Sequence, residues 1–127
     1  MSCMIYIESE LGQDDGFYLT NSIGESIRDY IMKRASRLQP EVHSVLTETE
    51  LAQEWWPGLD LDLGILIRAA QGRAMALELA MIDEAFLDEV ADNPTWRANL
   101  IQALELTTQL LKGELKGIHY PKTTLDA

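Results

Sequence analysis

The sequence has few of the residue types that build redox, metal or nucleophilic sites. Cys3 is the single cysteine among 127 residues, which excludes an internal disulfide and a thiolate zinc cluster. The two histidines, His43 and His119, share no spacing typical of metal ligands. The chain contains no GxSxG nucleophile elbow and no glycine-rich phosphate loop. We therefore predict no catalytic residue, no metal ligand and no cofactor.

Long apolar runs and basic residues are also scarce. No run approaches the ~18 apolar residues of a membrane span, and the first residues lack the features of a signal peptide, so we expect a cytoplasmic protein. Ten Lys and Arg stand against 21 Asp and Glu, which gives a formal net charge of −11. This charge repels nucleic-acid phosphates and anionic lipids. A basic protein is the expected partner, although solubility alone also explains the surplus of acids.

The chain does have apolar content and helical periodicity. Hydrophobic residues make up 46% of the chain, and its length is typical of one domain. Residues 1–127 are therefore predicted to form a single globular domain. Two β-prone runs, at residues 4–8 and 17–20, flank a turn-forming segment and predict a hairpin within residues 1–20. The rest of the domain is predicted to be a helical body over residues 21–117, followed by a tail over residues 118–127. The predicted fold is mainly α, a four- to five-helix bundle with a small N-terminal β-hairpin.

Capping patterns set the predicted helix ends in the first half of the chain. Ser22 and Glu25 form a capping box, so the first helix should begin there and end before Pro40. Thr47 and Glu50 form a second capping box and predict that another helix begins at this point. The predicted apolar stripe of the first helix consists of Ile23, Ile27, Tyr30, Ile31 and Leu38.

Similar signals divide the second half. Asp60 or Asp62 is expected to cap the helix that follows the LDLDLG segment. Gly72 is expected to bend or divide that helix. Asn93 followed by Pro94 predicts the N-terminus of the last long helix.

The segment Ala74–Asp92 holds six acids and no base, with an apolar residue at every turn. On one continuous helix it has a core face and an opposite face that is acidic and partly apolar. The predicted core face consists of Met75, Leu79, Ile82, Phe86 and Val90. The predicted outer face includes Leu77, Glu78, Met81, Glu84, Asp88, Glu89 and Asp92.

Asp83 is the exception, because it projects toward the apolar side of that helix. An unpaired carboxylate there would be costly. It therefore needs an ion pair with a base such as Arg28, Arg68 or Arg73, a hydrogen bond with a Trp or Tyr, or a role in catalysis. If Asp83 is exposed, the helical phase and the assignment of the acidic face are both wrong.

The leading functional hypothesis is a non-enzymatic interaction protein of inhibitor, immunity or adaptor type. Its outer face would cover a basic protein partner, with the acids steering association and Leu77 and Met81 providing contact area. Trp55 and Trp56 are candidate anchors of this interface, unless both are buried in the core.

Two other functions stay open. Glu84 and Asp88, with Glu50 and Glu54 as a facing pair, have the one-turn spacing with which helical hydrolases hold divalent metal ions. Alternatively, Leu77 and Met81 meet their copies in a homodimer, and the protein is a self-associating structural subunit.

Overall fold

The computed structural model describes residues 2–9, 11–48 and 60–120. These residues form a mixed α/β fold of six helices and a four-stranded mixed sheet. The helices are α1 (Asn21–Leu38), α2 (Pro40–Glu48), α3 (Leu63–Ala69), α4 (Arg73–Ala80), α5 (Glu84–Val90) and α6 (Pro94–Leu111). The strands are β1 (Ser2–Ile7), β2 (Asp15–Thr20), β3 (Leu61–Asp62) and β4 (Ile118–His119). The predicted N-terminal hairpin is confirmed, but the mainly α assignment is corrected to mixed α/β because the hairpin is part of a larger sheet.

The sheet has the order β3-β1-β2-β4. Strands β1 and β2 are antiparallel, with Met4 opposite Tyr18, whereas β3 and β4 each join the hairpin in parallel. Because successive side chains of a strand point to opposite faces, the hairpin has one apolar face and one mixed face. The residues of the buried face are Cys3, Ile5, Ile7, Phe17 and Leu19. Met4, Tyr6 and Tyr18 alternate with them and are partly exposed.

Neither β3 nor β4 was predicted. Leu61 and Asp62 were assigned to a helix entry, and Ile118 and His119 to the tail. Two-residue strands carry no readable periodicity, and here the hairpin supplies the pairing partner. The Oδ1 atom of Asp62 nevertheless accepts a hydrogen bond from Gly64 N at 2.8 Å, so Asp62 caps α3 as expected.

Two predicted helix starts are wrong. Thr20 caps α1 in place of Ser22, and its Oγ1 accepts a long hydrogen bond of 3.4 Å from Ile23 N. Helix α1 ends at Leu38 as predicted, but α2 begins directly at Pro40, because proline also suits the first position of a helix. Thr47 therefore lies near the end of a helix and not at its start; its hydroxyl donates to His43 O at 2.9 Å.

The remaining boundaries are confirmed. Gly72 separates α3 from α4 and has a φ of +143°, a conformation that side chains disfavour. The Oδ1 atom of Asn93 caps α6 by accepting from Trp96 N at 2.7 Å, and Pro94 follows as the first helical residue.

No helix among the described residues has both the length and the apolar character needed to cross a bilayer.

Helix α1 connects the sheet to the other helices. Ile23 and Ile27, near its beginning, are fully buried on the side of the sheet that carries the apolar face. Tyr30 and Ile31, one turn further, are also fully buried; the Tyr30 ring meets Phe86 of α5, and α1 also contacts α6. The C-terminal part of α1 thereby reaches the acidic segment.

Candidate interaction surface

The acidic segment Ala74–Asp92 is not one helix. Helix α4 ends at Ala80, Met81 is extended with φ −67° and ψ 145°, and α5 begins at Glu84. Asp83 is the N-cap of α5, and its Oδ1 accepts from Phe86 N at 3.2 Å. The continuous helical phase is therefore wrong at the junction. The Asp83 side chain is 45% exposed, and Ile82, predicted in the core, is 38% exposed.

Tyr30 holds this junction in place. Its hydroxyl donates to Met81 O at 2.8 Å and accepts from Asp83 N at 2.7 Å. The Tyr30 ring is fully buried and meets the Phe86 ring edge-on, with the centroids 5.2 Å apart. Burial raises the pKa of the Tyr30 hydroxyl, while the neighbouring Arg34 acts in the opposite direction. The neutral hydroxyl thus serves as both donor and acceptor for the two backbone groups that the helix break leaves free.

Arg34 makes a second link between α1 and the junction. Its Nη1 donates to Asp83 Oδ2 at 3.0 Å and its Nη2 to Glu78 O at 2.8 Å. The predicted need of Asp83 for a base is met, but the base is Arg34 and not Arg28, Arg68 or Arg73. Tyr30 and Arg34 lie one turn apart on α1, so their side chains reach the same segment. This spacing is the sequence signal that would have pointed to the pair.

Arginines neutralise half of the six acids of the segment. Asp83 pairs with Arg34, Glu89 with Arg37 at 2.6 Å, and Asp88 with Arg97. The Arg37 guanidinium also lies 4.6 Å from the centroid of the Phe86 ring. Glu78, Glu84 and Asp92 are exposed and have no ion pair within the part of the chain that the structure describes. The outward negative charge of this surface therefore comes from these three carboxylates.

A shallow groove of about 570 Å³ lies between the end of α1 and the α4–α5 junction. Three large apolar side chains line it and remain open to solvent: Leu38 is 50% exposed, Met81 49% and Ile82 38%. Its polar lining is Arg34, Glu78, Asp83 and Glu84. We call this feature, with its seven lining residues, the junction groove.

The junction groove brings together only part of the predicted contact surface. Of the predicted residues, Glu78, Met81 and Glu84 line it. Leu77 is half-buried against the core, and Asp88, Glu89 and Asp92 are exposed outside the groove lining. Trp55 and Trp56 lie outside the described residues. Leu38 and Ile82 were missed as contact residues because their helical spacing assigned both to buried stripes.

The residues proposed for a metal site are not brought together in the described structure. Glu84 and Asp88 lie one turn apart on α5, as predicted, but Asp88 is paired with Arg97. Glu50 and Glu54, the facing pair, lie outside the described residues. Within residues 2–9, 11–48 and 60–120, no group of three or more possible ligands has the geometry to hold a metal ion.

Comparisons with models of protein families, with curated proteins and with solved structures find no match to this chain.

Proposed function

We propose that the protein is a non-enzymatic interaction protein whose junction groove binds a basic, amphipathic segment of a protein partner. One observation carries the proposal: Leu38, Met81 and Ile82 are exposed together beside two carboxylates, Glu78 and Glu84, that have no ion pair among the described residues. Inhibitor, immunity-type and adaptor roles all require this binding step.

The arrangement of the groove matches what such a segment needs. Binding becomes more favourable when a partner removes exposed apolar side chains from water, by roughly 25 cal/mol per Å² of apolar surface buried. The carboxylates at the rim attract lysine or arginine, accelerate association and exclude acidic segments. Arg34 adds little net positive charge to the groove, because its guanidinium is paired with Asp83 and its side chain is only 11% exposed.

The test uses two synthetic peptides of identical composition, made of leucine and lysine. In one peptide the leucines fall on a single helical face, and in the other the order is scrambled. We expect the amphipathic peptide to bind more tightly in isothermal titration calorimetry, and both affinities to weaken as salt is raised. Equal affinities for the two peptides would contradict the apolar part of the proposal.

Two matched double variants test the acidic part. Glu78→Gln with Glu84→Gln removes the rim charges, whereas Glu105→Gln with Glu114→Gln removes the same charge from exposed positions outside the groove. Exposed ion pairs are each worth about 0.2–1 kcal/mol, so the loss of two rim charges should lower the affinity by roughly twofold to thirtyfold. An equal loss in both double variants would mean that net charge, and not the groove, attracts the peptide.

Met81→Ala tests the contribution of the exposed apolar side chains of the junction groove. Its backbone carbonyl, which accepts from Tyr30, is retained, so the junction keeps its anchor. We expect weaker binding of the amphipathic peptide with only a small fall in the melting temperature, because half of the Met81 side chain is already exposed. The homodimer alternative predicts instead that the wild-type protein sediments as a dimer in analytical ultracentrifugation and that the Met81→Ala variant sediments as a monomer.

A further inference from the structure

The face of the sheet that points away from the helices carries aromatic rings. Tyr6 and Tyr18 alternate with the buried residues of β1 and β2 and are partly exposed. Tyr120, which follows β4, is 72% exposed and stacks on Tyr18 with a centroid distance of 5.0 Å and an angle of 11° between the rings. Tyr6 lies opposite Gly16, so no side chain of β2 stands across from it. The result is an aromatic surface of three tyrosines.

Carboxylates lie beside Tyr6, on one side of this surface. Asp62 is the β3 residue paired with Tyr6, and Glu8 lies two residues beyond Tyr6 along the chain. Burial, followed by the negative charges of Asp62, Glu8, Asp60 and Asp14, raises the pKa of the Tyr6 hydroxyl. Lys116, two residues before β4, approaches Asp15 at 3.8 Å.

We propose that the tyrosine face of Tyr6, Tyr18 and Tyr120, with the carboxylates beside Tyr6, binds an arginine-rich segment of a protein partner. The negative π-faces of the rings attract cations, and a planar guanidinium stacks on a ring in a way that an ammonium group cannot. Carboxylates also accept paired hydrogen bonds from a guanidinium, so the acids beside Tyr6 favour arginine as well. Aromatic rings on a sheet also suit single-stranded nucleic acid, but that ligand needs a basic surface, and here the carboxylates repel phosphate.

The tyrosine face shares no residue with the junction groove, so this proposal stands whether or not the groove binds a partner. Met81→Ala serves as the variant that separates the two surfaces. It should leave binding at the tyrosine face unchanged, and a loss there would show that the peptide occupies the groove instead.

The experiment compares an arginine-rich peptide with a lysine-rich peptide of equal length and charge, both without aromatic residues. By fluorescence anisotropy of labelled peptides, we expect wild-type protein to prefer the arginine peptide by about threefold or more. Tyr120→Ala should remove this preference and Tyr120→Phe should keep it, because phenylalanine retains the ring. Equal affinity for the two peptides in wild-type protein would overturn the proposal.

A second pair of variants tests the carboxylates. Glu8→Gln with Asp14→Asn changes two acids for which no hydrogen bond is recorded, and Glu105→Gln with Glu114→Gln is the charge-matched control. We expect the first pair to weaken arginine-peptide binding more than the control. NMR shifts of the Tyr18 ring protons on peptide addition locate the contact. Unshifted Tyr18 signals at saturating peptide, or tighter binding of a single-stranded oligonucleotide than of the peptide, would refute the assignment.

Discussion

The variant Tyr30→Phe isolates the contribution of a single hydroxyl group to the α4–α5 junction. This hydroxyl links Met81 O and Asp83 N, on either side of the break between the helices. The ring itself is fully buried and packs against Phe86, and phenylalanine keeps that packing. The substitution therefore changes the hydrogen bonding with little change in core volume.

The expected loss follows from the two hydrogen bonds. Each contributes about 0.5–1.5 kcal/mol net, and a buried partner left unsatisfied costs about 1–3 kcal/mol. The connecting residues Met81 and Asp83 are partly open to water, which lowers the second cost. We therefore expect Tyr30→Phe to lower the free energy of unfolding by about 2 kcal/mol. For a chain of this length the melting temperature should fall by roughly 5–10 °C.

Urea unfolding followed by circular dichroism measures this change, and an unaltered m-value would show that the unfolded state is the same. Tyr18→Phe is the matched control, since no hydrogen bond of the Tyr18 hydroxyl is recorded in the described structure, and its effect should stay within about 0.5 kcal/mol. The Asp83 amide should also exchange faster in the Tyr30→Phe variant. If Tyr30→Phe destabilises the protein no more than Tyr18→Phe, the hydroxyl does not hold the junction.

Three other predictions concern local contacts. Asp83→Ala should cost roughly 2 kcal/mol in urea unfolding, because the cap of α5 and the Arg34 ion pair are both lost, whereas Asp83→Asn keeps the cap and should cost less. Gly24→Ala places a Cβ 2.7 Å from Cys3 Sγ, so it should destabilise the wild-type protein by about 1–3 kcal/mol. In a Cys3→Ala background, which removes the sulfur atom, the same substitution should not be destabilising. If the effects of the two substitutions are simply additive, the clash is contradicted. Burial, with smaller contributions from Asp60 and Glu25, raises the pKa of the Cys3 thiol from 9.0 to about 11. The unfolded chain therefore releases this proton first, and stability should fall between pH 9 and 11, less steeply in Cys3→Ala.

Elements defined by local signals were predicted well. The hairpin strands, the Asn93–Pro94 helix start and the division at Gly72 each depend on residues within one or two turns of chain. The parallel strands could not be predicted. Leu61 pairs with Ile5, which lies far away in the sequence, and a strand of two residues has no periodicity of its own.

The break in the acidic segment has a similar cause. Leu79 in α4 and Phe86 in α5 are seven residues apart in sequence and both buried, so their spacing fits one continuous helix as well as two. The groups that stabilise the break, Tyr30 and Arg34, lie 49 to 53 residues away from Asp83. The projection therefore predicted the exposure of Glu78, Met81 and Glu84 and wrongly assigned the exposed Ile82 to the core.

The last strand of the sheet along the chain is β4, in which Ile118 pairs with Gly16 of β2. During synthesis on the ribosome, β1 and β2 appear first, and two strands alone are only marginally stable. The edge of β2 stays unpaired until residue 119 has emerged. A chain that stalls or is cleaved before β4 would expose this edge to pairing with other chains. Products truncated before β4 are therefore expected to aggregate.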